Sequence, residues 1–510
     1  MNIASGAAPP IPVKATAREW IGLGILALPC LIYAMDLTVL NLAAPSLSAD
    51  LRPSAAQLLW IIDIYGFVAA GALTLMGPLG DRIGRRKLLL IGSAAFAVLS
   101  LLAAFSRSAP MLILARALLG LAGATLAPST LSLISAMFRD DRQKTFAISV
   151  WVASFSLGGA LGPIIGGAVI SRFWWGAVFL IPIPIMVMLL ATGPRLLPEY
   201  ANPDAGRLDL LSAALTLAGV LPIIYGIKRA AEGAGDGLAA AAAAIGVICL
   251  AIFVRRQTVL KEPFLDLRLF TRPAVAAALM INVLDFFVGF GILLLVAQFL
   301  QLVLGLSPMG AGLWGLPVGF GFVFGSLGTS AWLKLMRPAY VLGCGLGLGG
   351  LGLALMAYAL DARSLILVTV GNTMFALGSA PGIAIVADLV VSAAPEGQSG
   401  AASAVSETAT EFGGALGIAL LGSLSTYLFR TKLSAMLPRD VTGSLKNQVL
   451  SGLGAAGRAT DHLAGGAQVL ASARAAYVAG ASVALEVSAC VSLAAAVLAI
   501  TMFRAVPGNR

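Results

Sequence analysis

Seven carboxylic acids stand inside stretches that are otherwise apolar for a full membrane thickness: Asp36, Asp63, Asp285, Asp388, Glu407, Glu411 and Glu486. An ionised aspartate at the centre of a spanning helix costs roughly 2.5–3.5 kcal/mol on insertion scales. A purely structural bundle has little reason to hold so many, and Arg116 is the one cation that the sequence places within such a stretch. Most of these acids must therefore be protonated, wetted or paired with something that comes and goes. Glu407 and Glu411 are four apart and share one helical face, so the second proton is harder to remove once the first has gone. That coupling suits a site that trades protons for a cation. Asp36, Asp63, Asp285, Glu407, Glu411 and Arg116 are the candidates for proton coupling and cation binding. An always-charged guanidinium needs a carboxylate or several carbonyls around it, and for Arg116 a structural clamp and a part in proton movement both remain open. The aromatics Trp60, Tyr65, Trp151, Phe155, Phe286, Phe287 and Trp314 could line a cavity and bind an organic cation through their faces; packing against lipid is the alternative for each. Trp174 and Trp175, at a span end, are expected in the interfacial belt.

The elements that must position these groups follow from composition. With 59% hydrophobic residues, 11% charged, 58 glycines and a mean hydropathy of +0.95, 510 residues describe an all-α polytopic membrane protein. On a ruler of about 20 apolar residues, fourteen spans fall near 20–43, 57–79, 88–105, 110–137, 146–170, 176–193, 209–227, 238–254, 274–303, 309–333, 338–359, 364–390, 400–426 and 478–503. An even count puts both ends on one side. With the termini inside, the inner segments hold 20 of the 33 Lys and Arg, which predicts cytoplasmic termini. The first span is full length and interrupted by Asp36, as in an uncleaved helix rather than a removed signal. At 1.5 Å per residue, Asp36 lies about 24 Å from the inner end of its span, and Asp285 and Glu411 about 16 Å from theirs. The net charge of +10 is scattered over short loops, which fits a solvated face beside anionic lipid and excludes a nucleic-acid surface. Four cysteines without paired spacing and a single histidine, His462, suggest neither disulfides nor a metal site, and no cofactor is expected. The external loop 427–477 reads as a short amphipathic hairpin or a mobile segment.

An internal repeat organises the spans. Ser156-Leu-Gly-Gly-Ala-Leu-Gly-Pro-Ile-Ile-Gly-Gly-Ala168 returns in large part as Glu411-Phe-Gly-Gly-Ala-Leu-Gly-Ile-Ala-Leu-Leu-Gly422. Gly158, Gly162 and Gly166 recur every four residues, making a strip where another backbone can approach. The copies lie in spans five and thirteen, so the second half begins at span nine and spans seven and eight are inserted. The predicted organisation is a cytoplasmic N-terminus 1–19, a six-helix half 20–193, an inserted pair with flanking loops 194–273, a second six-helix half 274–503 carrying the external loop, and a cytoplasmic C-terminus 504–510. Duplicated bundles of this kind build secondary transporters. Between spans two and three, Gly77-Pro-Leu-Gly-Asp-Arg-Ile-Gly-Arg-Arg-Lys87 makes a charged turn in which Asp81 can meet a helix N-terminus or an arginine across the halves. No Gly-x-x-x-x-Gly-Lys-Ser/Thr phosphate loop occurs, so an ion gradient rather than nucleotide hydrolysis is the expected energy source. The chain is not expected to be an enzyme.

At these residues the chain resembles the major facilitator superfamily, and within it the fourteen-span drug:proton antiporters of the QacA, SmvA and LfrA type. Asp36 with Leu37–Pro45 resembles the first-helix motif of that group. Gly77, Gly80, Asp81, Arg82, Gly84 and Arg85 match the superfamily's conformational loop motif, and Arg116 with Gly120 and Gly123 resembles a fourth-helix motif linked to proton coupling. Gly158, Gly162, Pro163, Gly166 and Gly167 are similar to the antiporter motif of the fifth helix. Residues 175–182 and 403–417 resemble this subgroup in particular. The resemblance implies a monomeric, proton-driven exporter of lipophilic organic cations such as quaternary ammonium antiseptics and intercalating dyes, with fluoroquinolones as a further class. Export of a metabolite or siderophore is the alternative. Some members carry an acid in span ten linked to divalent cations; residues 310–333 have none, so divalent substrates are not expected unless Asp285 substitutes.

Overall fold

In the computed structural model, the described residues are 14–199, 201, 209–231, 237–260, 273–392, 399–438, 441, 443–460 and 465–504. Within helices, Gly77 and the side chains of Asp388 and Glu407, among others, lie outside the description. Among the described residues every regular element is helical. Among the described residues, thirteen helices are long and apolar enough to cross a membrane, and α6 (Asp141–Arg172), bent by 41° between Gly159 and Leu161, makes fourteen.

The first six spans are α1 (Ala17–Leu51), α2 (Ala55–Ile83), α3 (Arg85–Ala104), a span broken into α4 (Ala109–Gly123) and α5 (Leu126–Met137), α6, and a 3-10 turn at Trp175–Leu180 that continues into α7 (Pro182–Leu196). Next come α8 (Leu210–Ala231) and α9 (Gly237–Val259), then α10 (Pro273–Gln298) ending in a π-turn, a broken span of α11 (Pro308–Leu313) and α12 (Leu316–Leu335), α13 (Pro338–Asp361), α14 (Leu365–Ser392), α15 (Ser399–Met436), short α16 (Gly443–Leu450) and α17 (Leu453–Thr460), and α18 (Gly466–Met502).

Glycines decide which helices lie side by side. A Cβ on Gly158 would run into the Leu31 carbonyl of α1, and one on Gly413 into the Val283 carbonyl of α10. Each glycine-bearing helix thus packs on the first helix of its own half, α6 on α1 and α15 on α10. The halves meet along α2 against α15, α1 against α10 and α6 against α11. Helices α8 and α9 pair with each other, and α8 also touches both α2 and α15. Asp209 fastens this pair: it accepts from the Ser212 backbone and hydroxyl at the start of α8 and pairs with Arg256 of α9 at 3.0 Å. Burial works against its charge, but the bonds from Ser212 and Arg256 prevail and hold its carboxyl below the usual range.

One expectation changes. The segment 427–477 is shorter as a connection, because α15 runs on to Met436 and α18 begins at Gly466. Phe429 and Leu433, one turn apart, carry the buried stripe of α15 past the apolar run, and Val469, Ala473 and Tyr477 do the same for α18. What remains carries α16 and α17, which pack on each other, with α17 against α1 and α18. Trp174 is exposed, whereas Trp175 is buried and donates to Asp50 at the end of α1 at 2.7 Å, which ties the turn before α7 to α1.

Candidate functional site

Ser108 caps α4 by accepting from the Met111 N–H, with Pro110 in the first turn. Gly120 and Gly123 then let α4 lie flush on α2: a Cβ on the first would enter the Tyr65 backbone carbonyl, and one on the second would stand 2.6 Å from the Tyr65 hydroxyl. This approach delivers Arg116 to Asp36 of α1, an ion pair buried on both sides. Arg116 also donates Nε to the Ile61 carbonyl at 3.2 Å, and its guanidinium stacks 4.6 Å from the Tyr65 ring centroid and 5.9 Å from that of Phe179. It is clamped from several sides.

Arg116 is not the single intramembrane cation. Lys228 is 1% exposed and sits 2.7 Å from Asp63 Oδ2, with its ammonium 4.0 Å above the Trp60 ring centroid. The apolar run of span seven stops at residue 227, which makes Lys228 read as a loop residue. In the structure α8 continues to Ala231, and Lys228 lies one turn beyond buried Ile224 on the same face. An inserted helix thereby supplies a charge to the first half.

The second half holds its acids differently. Glu411, on α15, accepts from the Tyr33 hydroxyl of α1 at 2.7 Å, so this bond crosses between the halves. Gly66 of α2 leaves the space beside it, since a Cβ there would be 3.5 Å from Glu411 Oε2. Asp285, on α10, accepts from Ser379 of α14, and its other oxygen is buried without a hydrogen-bond partner among the described residues. One turn earlier Asn282 donates to Thr410 at 2.9 Å and to the Ser406 carbonyl at 3.0 Å, which pins α10 to α15. The side chains of Glu407 and Asp388 lie outside the described residues, and Glu486 is exposed on α18.

Three of the seven candidate aromatics, Tyr65, Trp151 and Phe155, are brought together. Trp151 packs edge-on against Phe155 at 4.8 Å, Phe155 against Tyr33 at 6.0 Å, and Tyr33 against Tyr65 at 5.7 Å. The Trp151 N–H is held by Thr130 at 2.9 Å. This ladder runs from α6 over α1 to α2 and meets Glu411 through Tyr33. Sequence reasoning missed Tyr33, whose signal is a phenol one turn before Asp36 on the same helix. Phe286 pairs instead with Phe290 at 5.8 Å, and Trp314 borders a separate cavity of about 90 Å³ with Asn41, Pro163 and Asn372.

In the loop between α2 and α3, Asp81 pairs with Arg85, the first residue of α3, at 2.6 Å. The ion pair therefore closes the turn on itself rather than reaching an arginine of the other half. Gly84 carries φ +106°, and a Cβ there would stand 2.5 Å from Glu199. Glu199 takes the Arg86 N–H and its guanidinium, joining the loop to the end of α7. Gly80 leaves room for the Arg85 stem, Arg82 is exposed, and Gly77 lies outside the description. In α6, Gly162 and Gly166 receive Met35, Thr38 and Val39 of α1, whereas Gly167 faces Pro308 and the Pro163 carbonyl faces Gly312, both across the halves on the α11 side.

The family model described as Major Facilitator Superfamily matches residues 26–418. The multidrug efflux pump LfrA of Mycolicibacterium smegmatis is 41% identical over 498 residues, covering 97% of this chain and 98% of that protein. The methyl viologen resistance protein SmvA of Salmonella typhimurium is 35% identical over 482 residues, covering 92% and 95%. Among solved structures, a bacterial homologue of the human lysosomal transporter Spinster, inward-facing and unoccupied, superposes with a TM-score of 0.64 at 16% identity over 96% of this chain and 98% of that one. This last likeness concerns the fold alone.

Proposed function

The chain belongs to the major facilitator superfamily, and from that premise we propose that it exports lipophilic organic cations from the cytoplasm or inner leaflet in exchange for protons. The observation that carries this reading is Glu411: a buried carboxyl at mid-span, held by a hydroxyl of the opposite half and beside an aromatic ladder. That LfrA is a multidrug efflux pump supports the direction of transport, and that SmvA is a methyl viologen resistance protein supports a cationic drug.

In this cycle a cation enters among Tyr65, Phe155 and Trp151 and takes the charge of deprotonated Glu411. Its positive charge is attracted to the ring faces and the carboxylate together. The bundle, divided as 20–193 and 274–503 about the inserted pair 194–273, then rocks outward along the α2–α15 and α6–α11 seams. A proton from outside neutralises Glu411, the cation loses its counter-charge and leaves, and the protonated form returns. Glu407, one turn away, is the second acid of this step, and Asp285 is a further proton site. Asp36 and Arg116 fix the geometry of the first half, with cytoplasmic termini and a monomeric unit. Asp63, paired with Lys228, is the remaining cation-binding candidate of the first half.

The test is substrate-induced proton release. Ethidium or tetraphenylphosphonium added to purified protein at near-neutral pH should release protons from the wild type and none from Glu411→Gln of equal stability. Undiminished release by that variant would refute Glu411 as the exchange site. Absence of binding by any lipophilic cation would turn the search to neutral or anionic solutes, among them a metabolite or siderophore.

A further inference from the structure

An alkylammonium ion is recognised by a carboxylate at its charged centre and an aromatic face against the same charge. Both surround one point in this structure, the Lys228 ammonium, with Asp63 Oδ2 at 2.7 Å and the Trp60 ring centroid at 4.0 Å. Trp60, Asp63 and Phe67 recur at helical spacing on one face of α2, and the wall around Phe67 is apolar, from Val220 and Ile224 of α8 and Ala415 and Leu416 of α15. That is the lining a lipophilic cation wants.

Lys228 fills this point loosely. Among the described residues it makes one hydrogen bond and one ring contact, and Asp63 Oδ1 is buried with no hydrogen-bond partner. Arg116, by contrast, is held by a carboxylate, a carbonyl and two rings. Lys228 also stands three residues before the end of α8 at Ala231, where a four-carbon stem can carry its ammonium out to the interface. Lys228 is thus the less constrained of the two buried cations, and Asp63 keeps one oxygen unbonded.

We propose that Asp63 and Trp60 form a binding subsite for an organic ammonium ion, and that Lys228 of the inserted helix occupies it as a tethered stand-in until a substrate displaces it. This rests on the export reading above and deepens it. The subsite lies where α8 touches α2 and α15, so exchange of the two cations is felt at the seam between the halves. The inserted pair thereby sets how strongly a cation must bind to load the pump.

The experiment is titration calorimetry of benzyltrimethylammonium into full-length protein in detergent at pH 8. Lys228→Met should bind about tenfold more tightly than wild type, since the internal competitor is gone. The gain should vanish in Asp63→Asn with Lys228→Met, and Lys228→Arg should bind no more tightly than wild type. A folded Lys228→Met protein without the gain, a gain that survives loss of Asp63, or no binding by wild type or any variant overturns the proposal while leaving export through Glu411 to its own test with ethidium or tetraphenylphosphonium. A second measurement needs no variant. Acylation of Lys228 by an amine-reactive ester, read by mass spectrometry, should rise when benzyltrimethylammonium is added, and unchanged or reduced labelling refutes the displacement.

Discussion

In the first half, Asp36 and Asp63 each face a cation of the chain itself, Arg116 and Lys228, whereas in the second half Glu411 and Asp285 are held by hydroxyls, those of Tyr33 and Ser379. The two halves share a glycine stripe and the same packing of fifth helix on first, so the contrast lies in what that common frame carries. Protonating an acid beside a guanidinium strands a buried positive charge, which is costly. Protonating an acid beside a hydroxyl removes a charge from the interior and leaves the hydroxyl able to donate or accept. On the export reading proposed above, the proton that exchanges belongs to an acid of the second half, while Asp36 of the first half stays locked to its guanidinium.

The largest effect should come from breaking the fixed pair. Arg116→Gln leaves Asp36 buried without its partner and should lower stability by about 3–5 kcal/mol; adding Asp36→Asn should return a good part of it. Asp285→Asn, which removes no ion pair, should change stability by less than about 1 kcal/mol. Thermal unfolding of all three proteins in one detergent makes the comparison. An Asp285→Asn protein as unstable as Arg116→Gln would mean that the second half is electrostatically locked as well.

Next comes the shared frame, where the halves should respond alike. Gly158 and Gly413 each meet a backbone carbonyl, of Leu31 and of Val283, while a Cβ on Gly347 of α13 would meet nothing within 4 Å. Alanine at either of the first two must push two helices apart and should destabilise by about 1–3 kcal/mol. Alanine at Gly347 should be neutral or raise stability by up to about 1 kcal/mol. If Gly158→Ala and Gly413→Ala differ by as much as either does from Gly347→Ala, the two stripes are not equivalent.

The spans, the glycine repeat and the acids were legible because each leaves a signal in one dimension: apolar length, a period of four, and charge where charge is costly. The partners of those acids were not. Tyr33 meets a residue 378 positions away in sequence, and nothing in the pattern of α1 separates it from a packing phenol. Lys228 was hidden by the ruler itself, since a lysine beside an arginine ends an apolar run whether its side chain faces water or a buried carboxylate. Asp81 shows the reverse, a long-range contact expected where an i,i+4 arginine was already within reach. Sequence marks where charge is buried more readily than it marks what compensates it.

The smallest effect is the most diagnostic. Tyr33→Phe keeps the ring that packs on Tyr65 and Phe155 and removes only the hydroxyl that joins α1 to Glu411. One hydrogen bond is worth about 1 kcal/mol, or roughly fivefold in an equilibrium. If Glu411 is the exchange site, that fivefold should be lost from ethidium export in vesicles, with unfolding shifted by no more than about 2–4 °C. The same hydroxyl is a link between the halves, so a structural role predicts the opposite division: lower stability with unchanged transport per folded molecule. Measuring both on one preparation therefore asks of a single oxygen whether the second half's acids are held for transport or for architecture.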